Sequence, residues 1–266
     1  MMRKNSLSRV HAGLLAAAIC APGLLIHAPA VEARTLAEVR ALGTISMCAN
    51  PDALPYSSNK SDTPGFQVEL GRLIAQGLEL SLSTEWIVPR RRARVVNCDM
   101  LLDKPSDARV TEGKLLLSRS YHKSGVALGL APNAAMLNDF SELTSGQKVG
   151  VMINSVASVV LGKAGKTTSP YAFQSDMLED LEKGDLYGIA ISSATMSHYI
   201  SAHPQSNLKL AYAFDSVPDM TWNVSVGLRN SDQALLDAVN DVLDRLIADG
   251  TVASIYRKYG VDHRLP

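Results

Sequence analysis

The chain has 266 residues, 46% of them hydrophobic and 20% charged, with a formal net charge of zero. That length suits two domains of ordinary size, and the balance is that of a soluble globular protein. Zero net charge gives no overall electrostatic case for a nucleic-acid partner.

The N-terminus reads as an export signal over residues 1–33. Arg3, Lys4 and Arg9 precede an apolar run from Ala12 to Ile26, and Val31-Glu32-Ala33 offers small residues where a signal peptidase reads. A membrane anchor is the alternative, but the run is short for a bilayer and Pro22-Gly23 interrupts it. No membrane span is expected after cleavage. Cleavage after Ala33 removes Arg3, Lys4, Arg9 and Glu32, so 26 basic and 26 acidic residues become 23 and 25, a net of −2. A periplasmic location is expected. Cys20 leaves with the signal, and Cys48 and Cys98 remain. In an oxidising compartment such a lone pair predicts a disulfide. No histidine lies near either cysteine in sequence, so no metal site is expected there.

The mature chain opens with a short helix over Thr35–Leu42 that ends at Gly43. The stretch Thr44–Ser57 follows, and the remaining elements are organised around it. Ile45 and Met47 alternate with smaller or polar residues, the period of a strand, and the run breaks at Asn50-Pro51 before Pro55. Ligands of open α/β sheets sit beyond the carboxyl ends of the strands, so this loop would face a cleft; an ordinary surface loop is the alternative. Residues Gly65–Leu78 place Phe66, Leu70, Leu73 and Ile74 on one helical face. Leu80–Val88 reads as a strand. Arg90, Arg91, Arg92 and Arg94 then pack four arginines into five residues, either a solvated face or an anion or partner contact.

Cys98–Leu102 reads as a strand, Lys104–Gly113 as a loop, Ser118–Lys123 as a polar turn and Ser124–Leu130 as a strand. A second α/β unit starts at Gln147–Ile153 and runs through Asn154-Ser155 into a helix from Val156. Ser155 would then cap that helix or seat an anion at its N-terminus. Ser175–Lys183 is a helix with Met177, Leu178 and Leu181 on its apolar face. Gly188–Ile191 is a buried strand ending at Ser192-Ser193, and a helix from Ala194 to Ala202 stops before Pro204. Leu208–Phe214 and Trp222–Leu228 read as strands. Asp232–Asp249 is a long amphipathic helix carrying Leu235, Leu236, Val239, Val242, Leu243 and Leu246, and Val252–Tyr259 is a short helix after Gly250. Strand and helix alternate throughout, so the fold class is α/β.

Three stretches carry a resemblance. The ending, Leu235–Asn240 with Asp249–Gly260, and the segment Leu143–Val151 are similar to the extracellular solute-binding proteins of family 3, the periplasmic receptors of polar-amino-acid transporters. The likeness covers essentially the whole mature chain. It implies a two-lobed periplasmic-binding-protein-like fold with two crossover hinge strands, lobe 1 holding residues 34–130 and 223–266 and lobe 2 residues 131–222. More narrowly, Cys48–Ser57, Cys98-Asp99 and Ser118–Ser124 resemble the subgroup found beside quinoprotein alcohol dehydrogenases, the MoxJ and XoxJ type accessory proteins of methanol oxidation.

Against the family pattern, the arginine that holds a ligand carboxylate falls on Thr111, with Arg109 two residues away, and the ammonium-binding aspartate falls on Ser192. A zwitterion that leaves water needs partners for both charges, and leaving one unpaired costs several kcal/mol. The expected cleft residues are Asn50, Tyr56, Arg109, Thr111, Tyr121, Ser155 and Ser192, and the arginine run is the expected partner surface. The function implied is a non-enzymatic accessory to a periplasmic quinoprotein dehydrogenase. The alternative is a transport receptor for an amino acid or another small polar solute. No nucleophile elbow, metal-ligand cluster or cofactor motif is present, and His122, His198 and His203 stand apart in sequence, so neither catalysis nor a cofactor is expected.

Overall fold

A computed structural model describes residues 34–87, 96, 98–106 and 115–266. The expected signal at 1–33, the arginines Arg90, Arg91, Arg92 and Arg94, and the expected cleft residues Arg109 and Thr111 all lie outside the described residues.

Helix α1 (Leu36–Leu42) starts on a capping box. The Thr35 hydroxyl accepts the Glu38 N–H, while the Glu38 carboxylate accepts the Thr35 N–H at 2.6 Å. Strand β1 (Thr44–Ala49) follows, then a small hairpin of β2 (Asp52–Ala53) and β3 (Ser57–Ser58), α2 (Phe66–Gly77) and β4 (Ser81–Trp86). Beyond them come β5 (Met100–Pro105), β6 (Leu115–Leu117) and the nine-residue β7 (His122–Leu130). The middle of the chain holds β8 (Val149–Met152), α3 (Val156–Lys163), β9 (Thr168–Tyr171), α4 (Gln174–Lys183), β10 (Gly188–Ser192), α5 (Ser193–Ala202) and β11 (Lys209–Ala211). Strand β12 (Thr221–Arg229) then leads to α6 (Gln233–Ala248) and α7 (Thr251–Lys258).

The main strand path runs β4-β1-β5-β12-β7-β10-β8-β9, with β6 beside β12 and β11 beside β7. Neighbours at each end of the path are parallel, as βαβ units require; β7 and β12 are antiparallel to their neighbours. The first residues of β7 pair with β12, from His122 opposite Val224 to Gly125 opposite Thr221. Its later residues pair with β10 and β11. These two long strands carry the chain between two separate apolar cores, the expected two-lobed architecture. One core gathers β1, α2, α6 and α7 around Ile45, Leu70, Val239 and Tyr256; the other gathers β8, β10 and α4 around Val151, Met177 and Ile189. Trp222, on β12, packs against both. Gly125 sits where β7 passes between them, and a Cβ there would overlap the Phe214 ring and lie 2.6 Å from the Met220 carbonyl oxygen.

Cys48 at the end of β1 and Cys98 just before β5 form a disulfide, with their Cα atoms 5.5 Å apart. Beside it Asp99 is buried. Its carboxylate accepts from the Ser46 N–H at 2.6 Å, the Ser46 hydroxyl at 2.7 Å and the Arg34 guanidinium at 2.5 Å. The Cys-Asp pair is thus a structural tie between β1 and β5.

Several expected boundaries move. The strand expected at Cys98–Leu102 occupies Met100–Pro105, so the expected loop begins after Pro105 instead of at Lys104. The polar turn expected over Ser118–Lys123 ends earlier, because His122 and Lys123 already pair with β12. The strand expected over Leu208–Phe214 shrinks to Lys209–Ala211, and Ala213–Ser216 turns as a 3-10 helix that buries Phe214. The hairpin β2–β3 and the strands β6 and β9 have no counterpart in the sequence reading.

A cavity between the lobes as the candidate functional site

Tyr56 is placed by a loop folded back onto the start of α2. The Tyr56 N–H donates to the Ala53 carbonyl at 2.8 Å, and the Gln67 N–H donates to the Tyr56 carbonyl at 3.0 Å. The Ser57 hydroxyl donates to the Asn50 carbonyl at 2.8 Å, which closes the loop on itself. Gly65 adopts φ 90 here, and a Cβ would fall 2.6 Å from the Ser57 Cα, so only glycine admits this close return. The Tyr56 hydroxyl bonds the Ser192 hydroxyl, a direct link from the first core's side to the end of β10.

Behind Tyr56 the side chains are aromatic. Its ring lies 5.0 Å from Phe66, and Phe66 stacks on Tyr256 at 4.3 Å. Tyr121 is fully buried and donates its hydroxyl to the Leu102 carbonyl. Burial, and for Tyr121 the nearby Asp103 charge, pushes the Tyr121 and Tyr256 phenols upward, and burial pushes Tyr56 the same way; all three are neutral hydroxyls. His122 packs 4.6 Å from Tyr256 and stacks on His263 at 5.5 Å. Burial first, and His263 second, press the His122 pKa down to about 3. Its Nδ1 accepts the Arg264 N–H at 3.4 Å, which assigns the proton of the neutral ring to Nε2.

These side chains enclose a cavity of about 180 Å³. Its walls are the rings of Tyr56, Phe66, Tyr121, His122, Trp222 and Tyr256, with Gln67, Asp103, Ser124 and Val224 between them and Ala194 from α5. Asp103 is the charged side chain in this lining, and no lysine or arginine among the described residues joins it. Its carboxylate stands 3.4 Å from the ammonium of neighbouring Lys104.

Of the expected cleft residues, Tyr56 and Tyr121 line this cavity, and Ser192 reaches it through its bond to Tyr56. Asn50 is exposed, its side chain accepting the Asp52 N–H at 2.9 Å. The Ser155 hydroxyl accepts the Ser158 N–H at 3.1 Å and caps α3, away from the cavity lining. Local sequence pattern does not mark Phe66, Asp103, His122, Trp222 and Tyr256 as a group. Phe66 and Tyr256 sit on apolar helix faces, which periodicity assigns to core, and His122 meets its ring partner His263 only through the fold.

Residues 45–262 match the family model of bacterial extracellular solute-binding proteins, family 3. The chain belongs to that family. It is similar to a probable histidine-binding protein of Neisseria gonorrhoeae, 24% identical over 135 residues, 49% of either chain. It is also similar to the lysine/arginine/ornithine-binding periplasmic protein of Escherichia coli, 23% identical over 81% of this chain and 87% of that one. A membrane-bound lytic murein transglycosylase F of Yersinia pestis is 26% identical over 84% of this chain but only 47% of its own length. The chain thus spans about half the length of the first and third of these relatives. Among solved structures, an ancestral cationic amino acid solute-binding protein superposes with a TM-score of 0.72 at 17% identity, covering 84% of this chain and 98% of that one. That likeness is one of fold. Most of these relatives are binding proteins.

Proposed function

We propose that this chain is a periplasmic receptor, exported through residues 1–33, that holds a small polar solute between lobes formed by residues 34–130 with 223–266 and by residues 131–222. One observation carries the reading: a walled cavity of about 180 Å³ lies where a hydroxyl of one lobe bonds a hydroxyl of the other. Family membership and the amino-acid-binding relatives support it. The test is a thermal-shift screen of the mature protein against amino acids, amines and small acids. A ligand at 100 times its dissociation constant raises stability by about 2.7 kcal/mol. Silence across the whole screen overturns the receptor reading.

A second reading, service to a periplasmic quinoprotein dehydrogenase, draws on the same cavity. No described lysine or arginine lines it, and the Ser192 hydroxyl is taken by Tyr56. A scaffold that has given up amino-acid capture would look like this. Silence in the screen together with co-purification with such a dehydrogenase at low salt selects this reading.

A further inference from the structure

We propose that the cavity takes a small organic ammonium ion without a carboxylate, with the Asp103 carboxylate as counter-charge and Tyr56, Tyr121, Tyr256 and Trp222 as aromatic walls. The proposal rests on the receptor reading and narrows its solute class.

The argument is electrostatic. Aromatic faces are negative at their centres and attract a cation held within about 6 Å, most of all a poorly hydrated one. Five aromatic rings besides His122 line this cavity, and among the described residues its one charged side chain is an acid. A ligand carboxylate would find the opposite of what it needs, since a buried anion must be paired and hydrogen-bonded. Two of the hydroxyls that could serve it are already engaged, Tyr121 donating to the Leu102 carbonyl and Tyr56 bonded to the Ser192 hydroxyl. His122 is neutral and adds no positive charge to the wall. Lys104 does not cancel Asp103: the two carboxylate and ammonium groups are 3.4 Å apart with the Asp103 side chain 62% exposed, and such a surface pair contributes little. Asp103 therefore stays available at the wet side of the cavity while the rings form the dry side.

Isothermal titration of the mature protein with tetramethylammonium and choline tests this, beside 3,3-dimethylbutan-1-ol, the neutral isostere of choline, and beside arginine and lysine. The cations are expected to bind, the isostere about tenfold or more weakly. Asp103→Asn should weaken the cations by about threefold to fivefold, the scale of a partly exposed charge pair, while its melting temperature without ligand stays within a degree or two of the parent. Equal binding of choline and its isostere, or cation binding indifferent to Asp103→Asn, overturns the proposal. Binding of arginine or lysine with no response to the carboxylate-free cations also overturns it and leaves the receptor reading standing. No binding by any of these, combined with a silent thermal-shift screen, overturns both.

Discussion

The two lobes are held by different physics, and the cavity shows why. Around the first core, covalent and ionic ties supplement packing: the Cys48–Cys98 disulfide, the buried Asp99 with Arg34 and Ser46, and Glu69 accepting from both Lys258 and the Tyr259 hydroxyl at 2.6 Å. Among the described residues, the second core has no disulfide and no buried ion pair like that of Asp99. Beside packing, helix caps and the Lys166 ammonium donating to the Ser141 and Leu143 carbonyls, its described ties are outer polar ones such as the Lys183–Glu179 ion pair and the Tyr171 and Tyr199 hydroxyls donating to Asp180 and Glu182. The same inequality appears at the cavity, where α2, β5, β7, β12 and α7 supply the walls and α5 supplies Ala194. A pre-organised wall meets a thin cover. Binding is tighter when the ordering cost is met during folding, and the fold concentrates its reinforcement on the side that supplies the cavity walls.

The largest expected effect tests that contrast directly. Replacing both cysteines, Cys48→Ala with Cys98→Ala, reopens a loop of sequence separation 50 and should cost about 4 kcal/mol on the chain-entropy model. Leu181→Ala in the second core should cost about 3 kcal/mol by leaving a cavity. Calorimetry with and without reductant separates the two. The parent and Leu181→Ala should both lose stability on reduction, while the double cysteine variant is unmoved. A parent protein indifferent to reductant would remove the disulfide from the account of how the first lobe is held together.

Most of the fold is legible in the sequence, because the helices and central strands carry strong local periods. Phe66, Leu70 and Ile74 mark α2, and Leu235, Val239, Val242 and Leu243 mark α6, all buried where expected. What escaped is what local pattern cannot carry. Strand β9 contains Pro170, which argues against a strand, yet β9 is the outer strand of its sheet, where a missing N–H costs no ladder bond. The strands β2 and β3 have two residues each, too few to show a period. The cavity is less legible still. Tyr56 is marked in the sequence because a broken strand announces a loop at the carboxyl end of a sheet. Asp103 and Trp222 come together with it only through pairing between strands over a hundred residues apart, as Gly227 does with Leu101.

The next effect concerns the crossing point itself. His122 heads β7, and the segment after α7 straps over it: the Lys123 N–H donates to the Arg264 carbonyl at 2.7 Å, and His263 Nε2 lies 2.7 Å from the Tyr121 carbonyl oxygen. Burial holds both histidines below their ordinary pKa, His122 down to about 3. The unfolded chain therefore binds these protons more readily than the folded one. Stability from this source is complete above pH 6.5 and declines as pH falls towards about 3, by up to about 1.4 kcal/mol per unit for His122. Carboxylates such as Asp139, held low by the Ser216 hydroxyl, act only further down. His122→Phe keeps a ring in the stack and should make the fall in melting temperature between pH 6.5 and 4 shallower, leaving the smaller part that His263 supplies. A parent and variant that fall in parallel would mean that His122 is not the titrating group the strap buries.

The smallest effect isolates the cover from the wall. Tyr56→Phe keeps the ring that lies 5.0 Å from Phe66 and removes the one described side-chain hydrogen bond joining the loop after β1 to β10. A net hydrogen bond contributes about 1 kcal/mol, so global stability should barely move, while the balance between closed and open lobes shifts about fivefold towards open. Small-angle scattering without ligand reads the opening as a larger radius of gyration. Ser192→Ala, which deletes the partner from the opposite side, should reproduce it; the two changes combined should add little, because they remove the same bond. If the double variant instead opens the molecule by the sum of the two single effects, the two hydroxyls act through separate contacts and the cover is held by something other than their mutual bond.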